Sequence, residues 1–278
     1  MLSYDEVSAL LEKIKTELTE KKYELPLDLL RLAKNDETVM PFVRGKGGFN
    51  YQFFALFTRY FKPKNILELG NLHGVSTVMI FSELAQECEL TSVDIVKDQR
   101  YVPQEIFKDS RVKFIYGDAL DLSIYGHKTP TEIDWLFTDT IHFYGQLKDE
   151  YNVYEPLLAD GAFILIDDIN LNDKRKLFDD LPFEKWDLTD WCHHNGFGML
   201  RYRKSQTFAD PKLEAALRSS RIGFRKFNSL KQDLDSQFYR KFYSQAREWA
   251  KNNARISSGI RFILKPIKKL YTPKEKEY

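Results

Sequence analysis

The 278-residue sequence is short of several things that would have assigned it quickly. It has only two cysteines, Cys88 and Cys192. They form neither a metal-type pair nor a disulfide framework, which fits a reducing compartment. No run reaches the roughly 18 apolar residues that a membrane-spanning helix needs. The first residues, MLSYDEVSALLEKIKTEL, are acidic and amphipathic and lack the apolar stretch of a secretory signal. These absences lead to an expectation of a cytoplasmic protein. The chain also lacks a G-x-G-x-x-G fingerprint, a P-loop lysine, an iron-type two-His-one-carboxylate spacing, any internal repeat and any low-complexity tract. Net charge is close to zero, with 42 Lys and Arg against 41 Asp and Glu.

That balance hides an asymmetry. Residues 201–278 hold 20 Lys and Arg against 7 Asp and Glu, or +13; the first 200 hold 22 against 34, or −12. A basic tail on an acidic body suggests a polyanionic neighbour. The tail leaves three readings open. Its segment 257–271, apolar residues among lysines, could lie on an anionic membrane surface. It could bind nucleic acid, which is not the expected partner. It could pack on the acidic body or on another subunit of a homo-oligomer.

With 43% hydrophobic residues, the chain can bury a sizeable core. Val7, Leu10, Leu11, Ile14 and Leu18 recur at helical spacing behind Ser3, a cap candidate. A short helix is expected after Pro26, then a Gly-rich loop, RGKGGFN (44–50), then a buried helix. From residue 64 strands and helices alternate. Strands are expected at 65–70, 89–95, 111–118, 132–139 and 162–168, with a helix from Ser76 to Cys88 and another from Gln146 to Leu158. Gly161 would supply the left-handed end of that second helix. This alternation predicts a doubly wound α/β fold with a mostly parallel sheet. Two further strands, FEKWDLTDW and GFGMLRYRK, make seven and pair antiparallel at one edge. The expected organisation is a helical extension or lid (1–60), the sheet domain (61–205) and a basic helical extension (206–278).

The polar residues of interest fall at the carboxyl ends of the predicted strands, where an open parallel sheet binds its ligands. LELGNLHGVST (67–77) brings Gly70 and Gly74 to a strand-to-helix turn. Asp94 ends the second strand, at a place suited to ribose hydroxyls, and Asp118 follows the third. Each alone could be a plain turn, a solvated acid or a helix cap. Asp139, Asp167 and Asp168 end two strands expected to be neighbours. Three carboxylates at one edge repel one another unless a cation neutralises them, and hard oxygen donors suit Mg²⁺, Mn²⁺ or Ca²⁺. His142, three residues beyond Asp139, is a base candidate. His193 and His194 precede the last strand and are expected to have a structural or substrate-lining role.

This order of motifs resembles the class I S-adenosylmethionine-dependent methyltransferases over roughly residues 60–203. ILELGNLHGVST looks like their first motif, GDAL like their adenine-side motif and GFGMLRY like their closing strand. The segment FTDTIHFYGQLKDEYNVYEPLLADGAFILIDDI is similar to the metal-dependent O-methyltransferases, including the macrolide-sugar and cephalosporin-hydroxylase-like proteins. The resemblance implies a Rossmann-like sheet and a cofactor site of Glu68, Gly70, Asn71, Gly74, Ser76, Asp94 and Asp118. It implies S-adenosylmethionine as cofactor, Mg²⁺ or another divalent cation held by Asp139, Asp167 and Asp168, and His142 as base. The acceptor would be a small-molecule or glycan hydroxyl. Relatives of this kind often carry Glu-Asp where this chain has Asp167-Asp168. Two other readings stand beside this one: a methyltransferase-like binding subunit without catalysis, and a hydroxylase-type enzyme on the same fold.

Overall fold

The computed structural model describes residues 2–218, apart from 38, 46, 47, 207 and 209. The tail segment 257–271 and the rest of 219–278 lie outside the described residues. Four helices come first: α1 (Tyr4–Thr19), α2 (Leu27–Ala33), α3 (Met40–Val43) and α4 (Asn50–Phe61). Ser3 caps α1 in a capping box: its hydroxyl accepts from the Glu6 amide and Glu6 accepts from its own amide. The stripe Val7, Leu11, Ile14 and Leu18 is buried as the spacing requires.

The α/β part then runs β1 (Asn65–Leu69), α5 (Val75–Phe81), β2 (Glu89–Asp94), α6 (Gln104–Lys108), β3 (Val112–Tyr116), β4 (Ile133–Thr138) and α7 (Tyr144–Tyr154). It continues with β5 (Leu158–Asp167), α8 (Lys174–Asp180), β6 (Glu184–Asp187), β7 (Phe197–Arg201) and α9 (Pro211–Arg218). The seven strands form one Rossmann-like sheet in the order β3-β2-β1-β4-β5-β7-β6. The first five are parallel, and β7 runs antiparallel between β5 and β6. Strand order reverses between β1 and β4, which is where such sheets open a crevice.

The register fixes what lies at that crevice. Ile115, Val93, Leu69, Thr138 and Ile166 form one cross-strand row. One residue further on, the chain reaches Tyr116, Asp94, Gly70, Asp139 and Asp167 in the same order. The strand interiors are apolar because helices cover both faces. Phe53, Phe54 and Phe57 of α4 pack on Trp135, Phe137, Phe163 and Phe197, with Phe54 and Phe137 ring centres 4.5 Å apart. The N-terminal helices therefore share the core of the sheet.

Two expectations fail locally. The helix after the Gly turn ends at Phe81, not Cys88. Ser82 donates its hydroxyl back to the Met79 carbonyl, and the chain turns through Leu84 and Cys88 to start β2. Gly161 does have a left-handed φ of +88°, but it lies inside β5 rather than at a helix end. There the register slips between the Ile133–Leu158 and Trp135–Phe163 pairs. The preceding helix stops at Tyr154 because Pro156 follows, and proline cannot donate the next helical hydrogen bond. Among the described residues no helix is long and apolar enough to cross a membrane.

Candidate active site

The turn after β1 is held by its neighbours. The Gly70 amide donates to the Val93 carbonyl, and the Asp139 amide donates to the Leu69 carbonyl. Gly70 has φ +86°, and a Cβ there would lie 2.2 Å from the Asp139 carbonyl oxygen. Only glycine permits that approach. At Gly74, with φ +83°, a Cβ would strike the Val102 side chain. Asp94 spans the turn: one carboxylate oxygen accepts from the Leu72 amide and the other from the Val96 amide, both at 2.7 Å. Leu72 is thereby held at φ +46° with its side chain exposed, beside an exposed Ile95.

The other predicted cofactor residues divide into two groups. Glu68 is fully buried, and its carboxylate receives the hydroxyls of Thr77 and Ser92, with Ser76 facing it as well. Burial pushes its pKa up against those hydroxyl donors. Glu68 and Ser76 are thus buried together under the turn. Asn71 donates to Ser92 and accepts from Gln99, which in turn accepts from the Tyr116 hydroxyl. Asp118 accepts from the Leu120 amide at the end of β3, beside Asp94.

The acid cluster sits across the switch point. His142 Nδ1 lies 3.1 Å from Asp168 Oδ2 and 3.7 Å from Asp139 Oδ1. His193 Nδ1 lies 3.2 Å from Asp168 Oδ1 and 3.6 Å from Asp167 Oδ1. Neighbours on an extended strand point to opposite faces, yet both Asp167 and Asp168 reach one imidazole. They do so because Asp168 leaves the strand with φ +54°, a conformation that costs a non-glycine residue about 1–3 kcal/mol. Neither acid caps the following helix, whose N-cap is Asp173.

Burial raises the pKa of Asp139, and it raises Asp167 well above its usual value with help from the Asp139 charge. Burial would raise Asp168 too, but His193 and His142 hold it below its usual value. The imidazole of His193 is raised in turn: burial opposes its charge, and Asp168, Asp167 and Asp139 overcome that. Asp139 Oδ1 and Asp167 Oδ1 are buried and close no hydrogen bond. Donor atoms lie within 4.8 Å of one another in two sets that share Asp168: Asp139, His142 and Asp168, and Asp167, Asp168 and His193. Such anionic oxygens are what a divalent cation would satisfy, so the residues fit one.

Several contributors were not legible as site residues. Glu150 of α7 receives the hydroxyls of Thr138 and Thr140 and the amide of Gln146. It therefore grips Asp139 from both sides in sequence. Lys174 is buried and donates to the Asp167 carbonyl, adding a positive charge behind the acids. Tyr51 of α4 feels the charges of Asp139, Asp167, Glu68 and Asp168, which add to burial in raising its pKa. The sequence hints were thin: an acid four residues after Gln146, a lysine six after Asp168, and an aromatic just beyond a Gly-rich loop. His194 stays exposed, its ring 4.9 Å from that of His193.

Residues 67–169 match the model of a family described as a methyltransferase domain. The fold is similar to a methyltransferase from Geobacter sulfurreducens, at 18% identity and a TM-score of 0.51, over 68% of this chain and 97% of that one. It is similar to the SAH-bound Podospora anserina methyltransferase PaMTH1, at 18% identity and 0.52, over 73% and 99%. A Corynebacterium glutamicum protein aligns at 14% identity and 0.51, over 70% and 99%. The stretch from Leu67 to Ile169, carrying the Gly turn, Asp139, Asp167 and Asp168, matches the methyltransferase-domain model and lies on a sheet shared with these structures.

Proposed function

We propose that the protein is an S-adenosylmethionine-dependent, divalent-metal-assisted O-methyltransferase acting on a hydroxyl group of a sugar or glycan. The carrying observation is the register that sets the Gly70 turn and Asp94 one residue past the same strand row as Asp139 and Asp167. Support for the cofactor comes from Asp94 beside the exposed apolar Leu72 and Ile95, a setting suited to an adenosine, and from PaMTH1, whose structure is SAH-bound. Support for an oxygen acceptor comes from an acid cluster with an adjacent base.

When bound, the cofactor supplies an electrophilic methyl group and the cation lowers the pKa of an acceptor hydroxyl. Asp139, Asp167 and Asp168 would hold the cation. His142 Nδ1 faces Asp168, which favours the tautomer protonated at Nδ1 and leaves Nε2 to take the acceptor proton. His142 would hold the proton released from the acceptor hydroxyl as that oxygen took up the methyl group. Glu150, through Thr138 and Thr140, keeps the Asp139 turn in place. A sugar diol suits a cleft whose open side carries half-buried Asp139 and His142 and exposed His194.

The test is methyl transfer by His142→Ala, with cofactor binding measured alongside. Loss of a general base lowers turnover by about 10²–10⁴-fold. Near-normal turnover removes His142 from the mechanism. Asp139→Asn is expected to abolish the dependence of the rate on added divalent ion.

A further inference from the structure

We propose that His193 is a ligand of the bound cation, which makes the centre a mixed nitrogen–oxygen site that prefers a borderline transition ion such as Co²⁺ or Zn²⁺ over Mg²⁺. The inference rests on the metal-assisted reading above and goes beyond the three carboxylates. His193 is 9% exposed, comes from the loop between β6 and β7, and turns its Nδ1 into the cluster toward Asp167 and Asp168. Each of Asp167, Asp168 and His193 offers a donor atom within 4.8 Å of the other two. The separations of 3.2 and 3.6 Å from Nδ1 to the two carboxylates resemble the about 3.0–3.4 Å expected between donors that share one ion at about 2.1 Å.

The imidazole is held there from three sides. The Ile169 and Asn170 amides donate to the Gly196 and Asn195 carbonyls, tying the acid-pair loop to the His193 loop. The Phe49 and Asn50 amides donate to the Trp191 and Cys192 carbonyls, so the Gly-rich loop braces the same loop from behind. Gly48 approaches so closely that a Cβ would sit 1.8 Å from the Cys192 carbonyl oxygen. The Phe42 ring lies 6.2 Å from that of His193. A ring positioned this firmly suits a ligand. Imidazole donors favour Fe²⁺ through Zn²⁺, whereas Mg²⁺ prefers an all-oxygen shell.

The experiment strips the full-length protein with a chelator and titrates it with Co²⁺, with Mn²⁺ and with Mg²⁺. Pulsed EPR of the Mn²⁺ form then reads nitrogen coupling to the ion. Co²⁺ is expected to bind at least about tenfold tighter than Mg²⁺, as the nitrogen donor dictates. The coupling is expected to persist in His142→Ala and to vanish in His193→Asn, with Mn²⁺ affinity falling about tenfold or more. A melting curve of stripped His193→Asn checks its fold; if that variant fails to fold, the wild-type ion preference and the His142→Ala coupling decide. Mn²⁺ binding without nitrogen coupling, or coupling lost only in His142→Ala, overturns the inference and leaves the metal reading standing. Absence of any divalent-ion binding to the wild type overturns both.

Discussion

Asp109 and Arg111 show how single residues set the local frame. The Arg111 guanidinium pairs with both oxygens of Asp109 and donates to the Leu84 and Ala85 carbonyls, so it ties the turn after α5 to the start of β3. The pairing lowers the Asp109 pKa from 3.8 to about 2. Because the folded value is the lower one, the stability gained is complete above pH 3.8 and is lost as the pH falls toward about 2. Solvent limits it to about 0.2–1 kcal/mol. Asp109→Asn is therefore expected to melt below the wild type at neutral pH, with the gap closing between those two values. A gap unchanged at pH 2 contradicts this assignment. Glu150 works differently: wholly buried, it meets three donors and acts only through the threonines that flank Asp139.

At the scale of elements, the contact between the β1 turn and the β4 turn is the most demanding. In Gly70→Ala a Cβ must enter the space of the Asp139 carbonyl, and the residue must keep φ +86°. The expected outcome is a loss of about 1–3 kcal/mol from backbone strain, together with loss of methyl transfer as the Asp139 loop is displaced. Denaturant unfolding and a rate assay check the two parts, and an unchanged midpoint would show that the turn can relax. Elements of this kind were legible where the signal is local. Apolar runs ending in Asp94, Asp139 and Asp167 announce strands whose ends carry chemistry, and the structure sets them side by side. Signals that depend on distant pairing were not legible. Gly161 looks like a helix end until the β4–β5 register makes it part of a strand irregularity. Spacing gives Glu68 and Ser76 as turn neighbours but not the direction of their side chains, which face each other beneath the turn. His193 meets Asp168 only because β7 pairs antiparallel with β5, bringing Phe197 opposite Asp167.

For the whole molecule, the helices before residue 62 are part of the core that carries the sheet. Phe54 touches Trp135 and Phe137 of β4 and Phe197 of β7, and 1% of it is exposed. Truncating such a ring removes its burial and leaves a cavity. Phe54→Ala is expected to cost about 3–5 kcal/mol in chemical denaturation; a loss below about 1 kcal/mol would mean that α4 docks only loosely.

The brace between the Gly-rich loop and the His193 loop also bears on kinship. The stretch that matches the methyltransferase-domain family, 67–169, includes Asp139, Asp167 and Asp168 but stops short of His193 and begins after Gly48 and Tyr51. A grouping made on that stretch alone takes no account of the loop that faces the three acids. The two braced segments, 48–51 and 191–196, lie far apart in the chain but meet through the Phe49 and Asn50 amides, so a change in one would call for a matching change in the other.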